Sequence, residues 1–107
     1  MKEDGKMVRF AWKAYVNDLE EYKRRHDEIW PEMTDMLNEA GIHNYTIWNV
    51  GDELFAYMEC DIDLEESMRI QSQSDVGKRW AQHMKGILRY DENTGGPIIL
   101  EQVFYHK

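Results

Sequence analysis

The chain has 107 residues, of which 13 are Lys or Arg and 21 are Asp or Glu, for a net charge of −8. That length allows one domain with a modest core, and the acidic balance argues against a nucleic-acid partner, whose phosphates need a basic patch that the short Lys23-Arg24-Arg25 run does not provide. No apolar run reaches the length of a membrane span, and the single Cys60 excludes an intrachain disulfide and suits a reducing cytoplasm.

Residues 1–6 lack a signal-peptide core and are expected to form a flexible N-terminal tail, with 7–107 as one domain. Residues 7–16 alternate. Val8, Phe10, Trp12, Ala14 and Val16 point one way, and Met7, Ala11 and Tyr15 point the other way with Arg9 and Lys13. This predicts a strand with apolar matter on both faces. Asn17 with Glu20 three residues later predicts a capping box. The helix it opens is expected to run to about Ala40, with Gly41 at C′. Pro31 has no N–H for the Asp27 carbonyl, so a kink or a restart is expected there.

Residues four apart share a helix face, so Tyr22, His26 and Trp30 form a stripe that Leu19, Ile29, Met33 and Leu37 extend. Histidine moves protons in both directions near neutrality. Flanked by two hydrogen-bonding aromatics, His26 suggests a small, half-dry acid/base site. A hydrogen-bonded core histidine among ordinary core aromatics would give the same stripe, and the residues leave both readings open.

Residues 43–50 and 53–60 read as two strands joined by Gly51-Asp52, a hairpin with a type I′ or II′ turn. Asp63 with Glu66 predicts another helix start. Ser72–Asp75 predicts a break, with Asp75 capping a further segment whose apolar stripe is Val76, Trp80, His83, Met84 and Ile87. Residues 91–97 are an acidic, Gly-rich loop, and 98–105 read as the last strand. The order β-α-β-β-α-β is the ferredoxin-like pattern of an α+β antiparallel sandwich. Its outer sheet face should be polar in a monomer. Here the strands carry large side chains in both parities, which predicts a face-to-face homodimer, a dimeric α/β barrel.

None of the four histidines forms a metal motif, and Cys60 has no partner Cys, so no metal or other cofactor is expected. Gly95-Gly96 lacks the lysine of a phosphate loop, and no Ser or Cys sits in a nucleophile elbow. Acid/base chemistry on an uncharged small molecule remains. Tyr22, Tyr45 and Trp80 supply flat surfaces for the C–H faces of a sugar and donors for its hydroxyls.

The segments Glu21-Tyr22-x-Arg24-Arg25-His26, Ile29-Trp30-Pro31-Glu32, His43-Asn44-Tyr45, Arg79-Trp80 and Gln102-Val103-Phe104-Tyr105 together resemble the L-rhamnose mutarotase family, from about Met7 to Tyr105. The first segment is the most specific. The resemblance implies a dimeric ferredoxin-like protein that interconverts the α and β anomers of a pyranose without a cofactor. It matches His26 to the catalytic histidine and Tyr22, Tyr45 and Trp80 to positions that hold the sugar. Where the family pattern has two adjacent tryptophans, this chain has Trp80-Ala81. Ala81 therefore stands at a substrate-binding position without its aromatic wall, which implies a broader or altered sugar preference. Glu101-Gln102 before Val-Phe-Tyr is a second, smaller departure. Two other readings stay open: a ferredoxin-like dimeric oxygenase using His26 and Trp80 on a flat substrate or iron, and a non-catalytic small-ligand binder.

Overall fold

The computed structural model describes residues 7–107; the tail expected at 1–6 lies outside the described residues. In chain order the elements are β1 (Val8–Val16), α1 (Leu19–Asp27), α2 (Pro31–Glu39), β2 (Ile42–Val50), β3 (Glu53–Cys60), α3 (Leu64–Gln73), α4 (Asp75–His83), β4 (Leu88–Arg89) and β5 (Ile98–Leu100). The sheet is antiparallel in the order β2-β3-β1-β4, and β5 also pairs with β1. β4 lies along Tyr15 and Val16 and β5 along Ala11–Lys13, so two short strands share one edge of β1. The result is a small α+β fold with four helices among the described residues.

The expected long helix is two helices. Pro31 restarts the chain at N1 of α2, where its missing N–H has no intrahelical acceptor to lose. Trp30 before it is extended, at φ −68° and ψ 138°, as a residue preceding proline prefers. The cap of α1 also lies one residue later than expected. Asp18, not Asn17, accepts from the Glu21 N–H at 3.1 Å. Asn17 is engaged elsewhere, donating to the Gly86 carbonyl at 3.1 Å and accepting from Arg89 at 3.0 Å. Likewise α3 continues through Gln73, and Ser74, not Asp75, caps α4 by accepting from the Gly77 N–H at 3.0 Å.

The last strand is shorter than expected, ending at Leu100 rather than at residue 105. In an unbroken ladder with Leu100 opposite Ala11, Gln102 would face Arg9. Instead Arg9 holds Tyr105, by a 3.2 Å hydrogen bond and with its guanidinium 4.3 Å from the ring centroid. The chain leaves the edge to reach that contact.

The β2–β3 hairpin turns on Gly51-Asp52, with Gly51 at φ +58° and Asp52 outside the positive-φ region, the signature of a type II′ turn. Near the start of β2 the register slips between His43 and Thr46, with Asn44 at φ +50°. This one-residue bulge sets the site. His43 pairs with Glu59 and Thr46 with Tyr57, both on the sheet face away from the helices. Tyr45 therefore falls on the helix side although it lies only two residues from His43.

On the helix side Ala14, Val16, Leu54, Ala56, Met58 and Cys60 are buried. The core divides into two clusters. Met36, Ala40, Ile42, Met58 and Cys60 pack at one end, and Val16, Tyr22, Leu54 and Met84 at the other. At the end of α2 the chain turns on Gly41 at φ +75°, where a Cβ would come within 2.5 Å of Asp61 Oδ1. No helix among the described residues is long and apolar enough to cross a membrane.

Candidate active site

A cavity of about 640 Å³ opens between the two core clusters. Its floor is the helix side of the sheet, including Trp12, Ile47 and Met58, and Met33 and Leu37 of α2, Met68 and Gln71 of α3 and Trp80 of α4 form its other walls. The stripe Ile29, Met33, Leu37 does face the interior, although the break at Pro31 divides it from α1. A second cavity of about 510 Å³ lies beside it, lined by Tyr22, Lys23 and Asp27 of α1 and by Asn49 of β2. His26, Tyr45 and Ile47 belong to both walls. His26 and Tyr45 thus stand where an apolar chamber meets a more polar one.

The His26 ring packs against Tyr22, with centroids 4.3 Å apart and the planes tilted by 36°, and meets Trp80 at 5.4 Å in a perpendicular contact. Its Nδ1 lies 2.9 Å from the Tyr22 carbonyl oxygen. A carbonyl only accepts, so Nδ1 carries the proton and donates, which leaves Nε2 as the basic nitrogen of the neutral ring. Desolvation is the largest influence on this imidazole and lowers its pKa. The Tyr22 carbonyl and Asp27 oppose that shift without cancelling it.

Desolvation also raises the phenols around it. Tyr22 is held above the ordinary tyrosine range by burial, with additional contributions from Tyr45 and Tyr90. Tyr45 leaves 37% of its surface open, yet desolvation is still the main cause of its raised pKa, and Tyr90 adds to it. All three hydroxyls therefore stay protonated near neutrality and are donors. A neutral imidazole beside protonated phenols can take up a proton, return it, and hold the oxygens of a polyol.

Of the residues expected at the site, His26, Tyr22, Tyr45 and Trp80 converge on these two cavities. Ala81 does not: it is exposed on α4 and lines neither. Trp30 arrives by a route the helical stripe does not describe. Its extended backbone sends the ring to α4, 5.1 Å from Trp80 and 5.1 Å from His83. Tyr90 was invisible in the sequence. β4 puts Leu88 opposite Val16 and Arg89 opposite Tyr15, so alternation turns Tyr90 to the helix side, but two paired residues make too short a pattern to read as a strand. His43 lies on the other face, with Nε2 2.9 Å from Asp61. Among the described residues no three His, Cys, Asp or Glu side chains are grouped as a metal site needs.

A family model described as L-rhamnose mutarotase matches residues 8–106. The chain belongs to that family. An L-rhamnose mutarotase of Tolumonas auensis is 42% identical over 88 residues, covering 79% of this chain and 83% of the relative. One from Bacillus subtilis is 39% identical over 95 residues, covering 86% and 89% of the two chains. The fold is also similar to the crystal structure of an L-rhamnose mutarotase from Formosa agariphila, with a TM-score of 0.78 and 28% identity, covering 94% of this chain and 99% of that one.

Proposed function

We propose that the protein is an isomerase that interconverts the α and β anomers of a 6-deoxyhexose pyranose, with L-rhamnose as the substrate its family membership favours. The observation that carries the mechanism is His26. Its Nδ1–H is committed to the Tyr22 carbonyl, and the ring lines both cavities. In this reading Nε2 removes the proton from the anomeric hydroxyl. As that oxygen becomes a carbonyl, the bond from C1 to the ring oxygen breaks and the ring oxygen takes the proton. Both oxygens are attached to the same carbon, so one Nε2 serves both. Rotation about C1–C2 and the reverse transfer close the ring on the other face. No atom is gained or lost.

Tyr22 and Tyr45 donate hydrogen bonds to sugar hydroxyls, and Trp80 offers a flat surface to the C–H face of the ring. The pairing of a more polar cavity with an apolar one suits a sugar that carries hydroxyls along one edge and a methyl group at the other.

The test is saturation-transfer NMR on the anomeric protons of L-rhamnose, L-fucose and D-glucose. The protein should accelerate exchange for at least the first. His26→Ala should lower the enzymatic rate by about 10²- to 10⁴-fold, the range of a positioned acid/base group, while circular dichroism reports an intact fold. Undiminished exchange in the folded variant would make His26 a core residue and end this assignment.

The working unit in this reading is a homodimer of one ferredoxin-like mutarotase domain, residues 7–107, acting in the cytoplasm. Two features support the dimer. Trp48, on the sheet face away from the helices, is 67% exposed. Val103 and Phe104 after β5 are 87% and 79% exposed. A second copy is the natural cover for such a surface.

A further inference from the structure

Trp80 is gripped by three rings. Besides its perpendicular contact with His26, it meets Trp30 at 5.1 Å and 89° and His83 at 5.4 Å and 51°. Trp30 and His83 also touch each other, at 5.1 Å and 40°. The three form a closed triangle of rings, with His26 joined at one corner. Its members are placed by two local causes. Trp30 is thrown sideways by the proline after it. Trp80 and His83 lie three apart on α4 and so share a face.

The triangle is also braced from outside. The Arg79 guanidinium lies 5.7 Å from the Trp30 ring centroid and bonds Glu32 of α2 at 2.9 Å. Arg25 of α1 donates to the His83 carbonyl and is itself bound by Glu21 at 2.6 Å. Three helices are thereby tied together around one indole. An indole has two side-chain torsions, and edge-to-face neighbours on several sides leave it few alternatives.

We infer that Trp30 and His83 are positioning residues for the reaction: together they clamp the Trp80 indole so that it offers a fixed surface to the sugar while keeping its perpendicular contact with the His26 ring. This rests on the mutarotase reading. Neither residue lines the cavities, so both act through Trp80. A platform that holds the sugar in the ground and transition states alike changes KM and leaves kcat nearly untouched.

The experiment measures KM and kcat for anomeric exchange of L-rhamnose in the full chain and in four variants: His83→Phe, His83→Leu, Trp30→Phe and Trp30→Leu. Leucine fills space without an aromatic face. The leucine variants should raise KM by about threefold to tenfold, the worth of one aromatic pair, with kcat within about twofold. The phenylalanine variants should restore KM to within about twofold of the parent. His83→Gln, soluble and planar at a half-buried position, carries the same expectation as His83→Leu and serves if that variant does not fold. Folded Leu or Gln variants with the parent KM, or Phe and Leu variants that behave alike, would overturn the clamp. No acceleration of exchange by the parent protein would instead sink the mutarotase reading, and the clamp with it.

Discussion

His26 is the residue on which the chemistry turns, and its surroundings set the pH at which it works. As a base it must be neutral. Desolvation lowers its pKa below the ordinary value of 6.5, so the rate should stay level as pH falls through that value. It should drop only below the depressed pKa. A pH–rate profile for anomeric exchange checks this; an acid limb centred above 6.5 would contradict it. The same shift has a sign for stability. Between the depressed folded value and 6.5 the unfolded chain binds a proton that the folded chain does not, so stability falls as pH falls through that window. At position 81 the expectation concerns preference. Ala81 is exposed on α4 beside Trp80, and neighbours on a helix point about 100° apart. Ala81→Trp should tighten or redirect L-rhamnose use without relieving the need for His26. Exchange rates for L-rhamnose, L-fucose and D-glucose before and after the change decide it, since an unchanged profile means that position 81 does not reach the sugar.

Among the elements, β2 carries the most consequential irregularity. The bulge at Asn44 is what brings Tyr45 to the cavity side while His43 points away. Asn44 sits at φ +50°, a conformation that costs an ordinary L residue roughly 1–2 kcal/mol and that asparagine and glycine tolerate best. Asn44→Val should therefore be less stable than Asn44→Gly by about that amount in urea unfolding. Both variants lose the 2.7 Å bond from Asn44 to Glu59, so the comparison isolates the backbone. The valine variant should also lose activity as Tyr45 is re-aimed. Equal stabilities would show that the bulge can be remodelled cheaply. The break at Pro31 is the other element-scale device, because it frees Trp30 from the helix and sends it to α4.

At the scale of the whole molecule, Trp48, Val50 and Leu100 leave exposed apolar surface on the sheet face away from the helices. Rows across that sheet face run from Trp48 through Phe55 to Lys13 and from Thr46 through Tyr57 to Ala11 and Leu100. Lys13 pairs with Glu53 at 3.2 Å, and Tyr57 donates to Glu59 at 2.6 Å, so the face is mixed rather than greasy. With Trp48, Val103 and Phe104 uncovered, sedimentation should report a dimer at micromolar concentration. Trp48→Glu together with Phe104→Glu should shift it toward monomer. A parent protein that sediments as a monomer would end the dimer proposal.

Alternation and capping made β1, the β2–β3 hairpin and the helix starts legible in the sequence to within a few residues, because those signals are local. Tyr22 and His26, one turn apart on α1, could be placed together for the same reason. The family likeness, carried by Glu21 to His26 and by Trp30-Pro31, was legible as well. What only the tertiary structure decided was everything that depends on a partner distant in the chain. Asn17 lost its capping role to Asp18 because Gly86 and Arg89 claim its side chain. The last strand stops at Leu100 as the chain beyond it turns to bring Tyr105 to Arg9. Tyr45 changes face because β2 must accommodate a bulge against β3. Tyr90 lines neither cavity, and it comes near enough to act on the phenols of Tyr22 and Tyr45 only through the two-residue pairing of β4 with β1. Periodicity records which way a side chain points within its own element. Which cavity it then reaches depends on register and packing between elements, and those are fixed by contacts that no local pattern encodes.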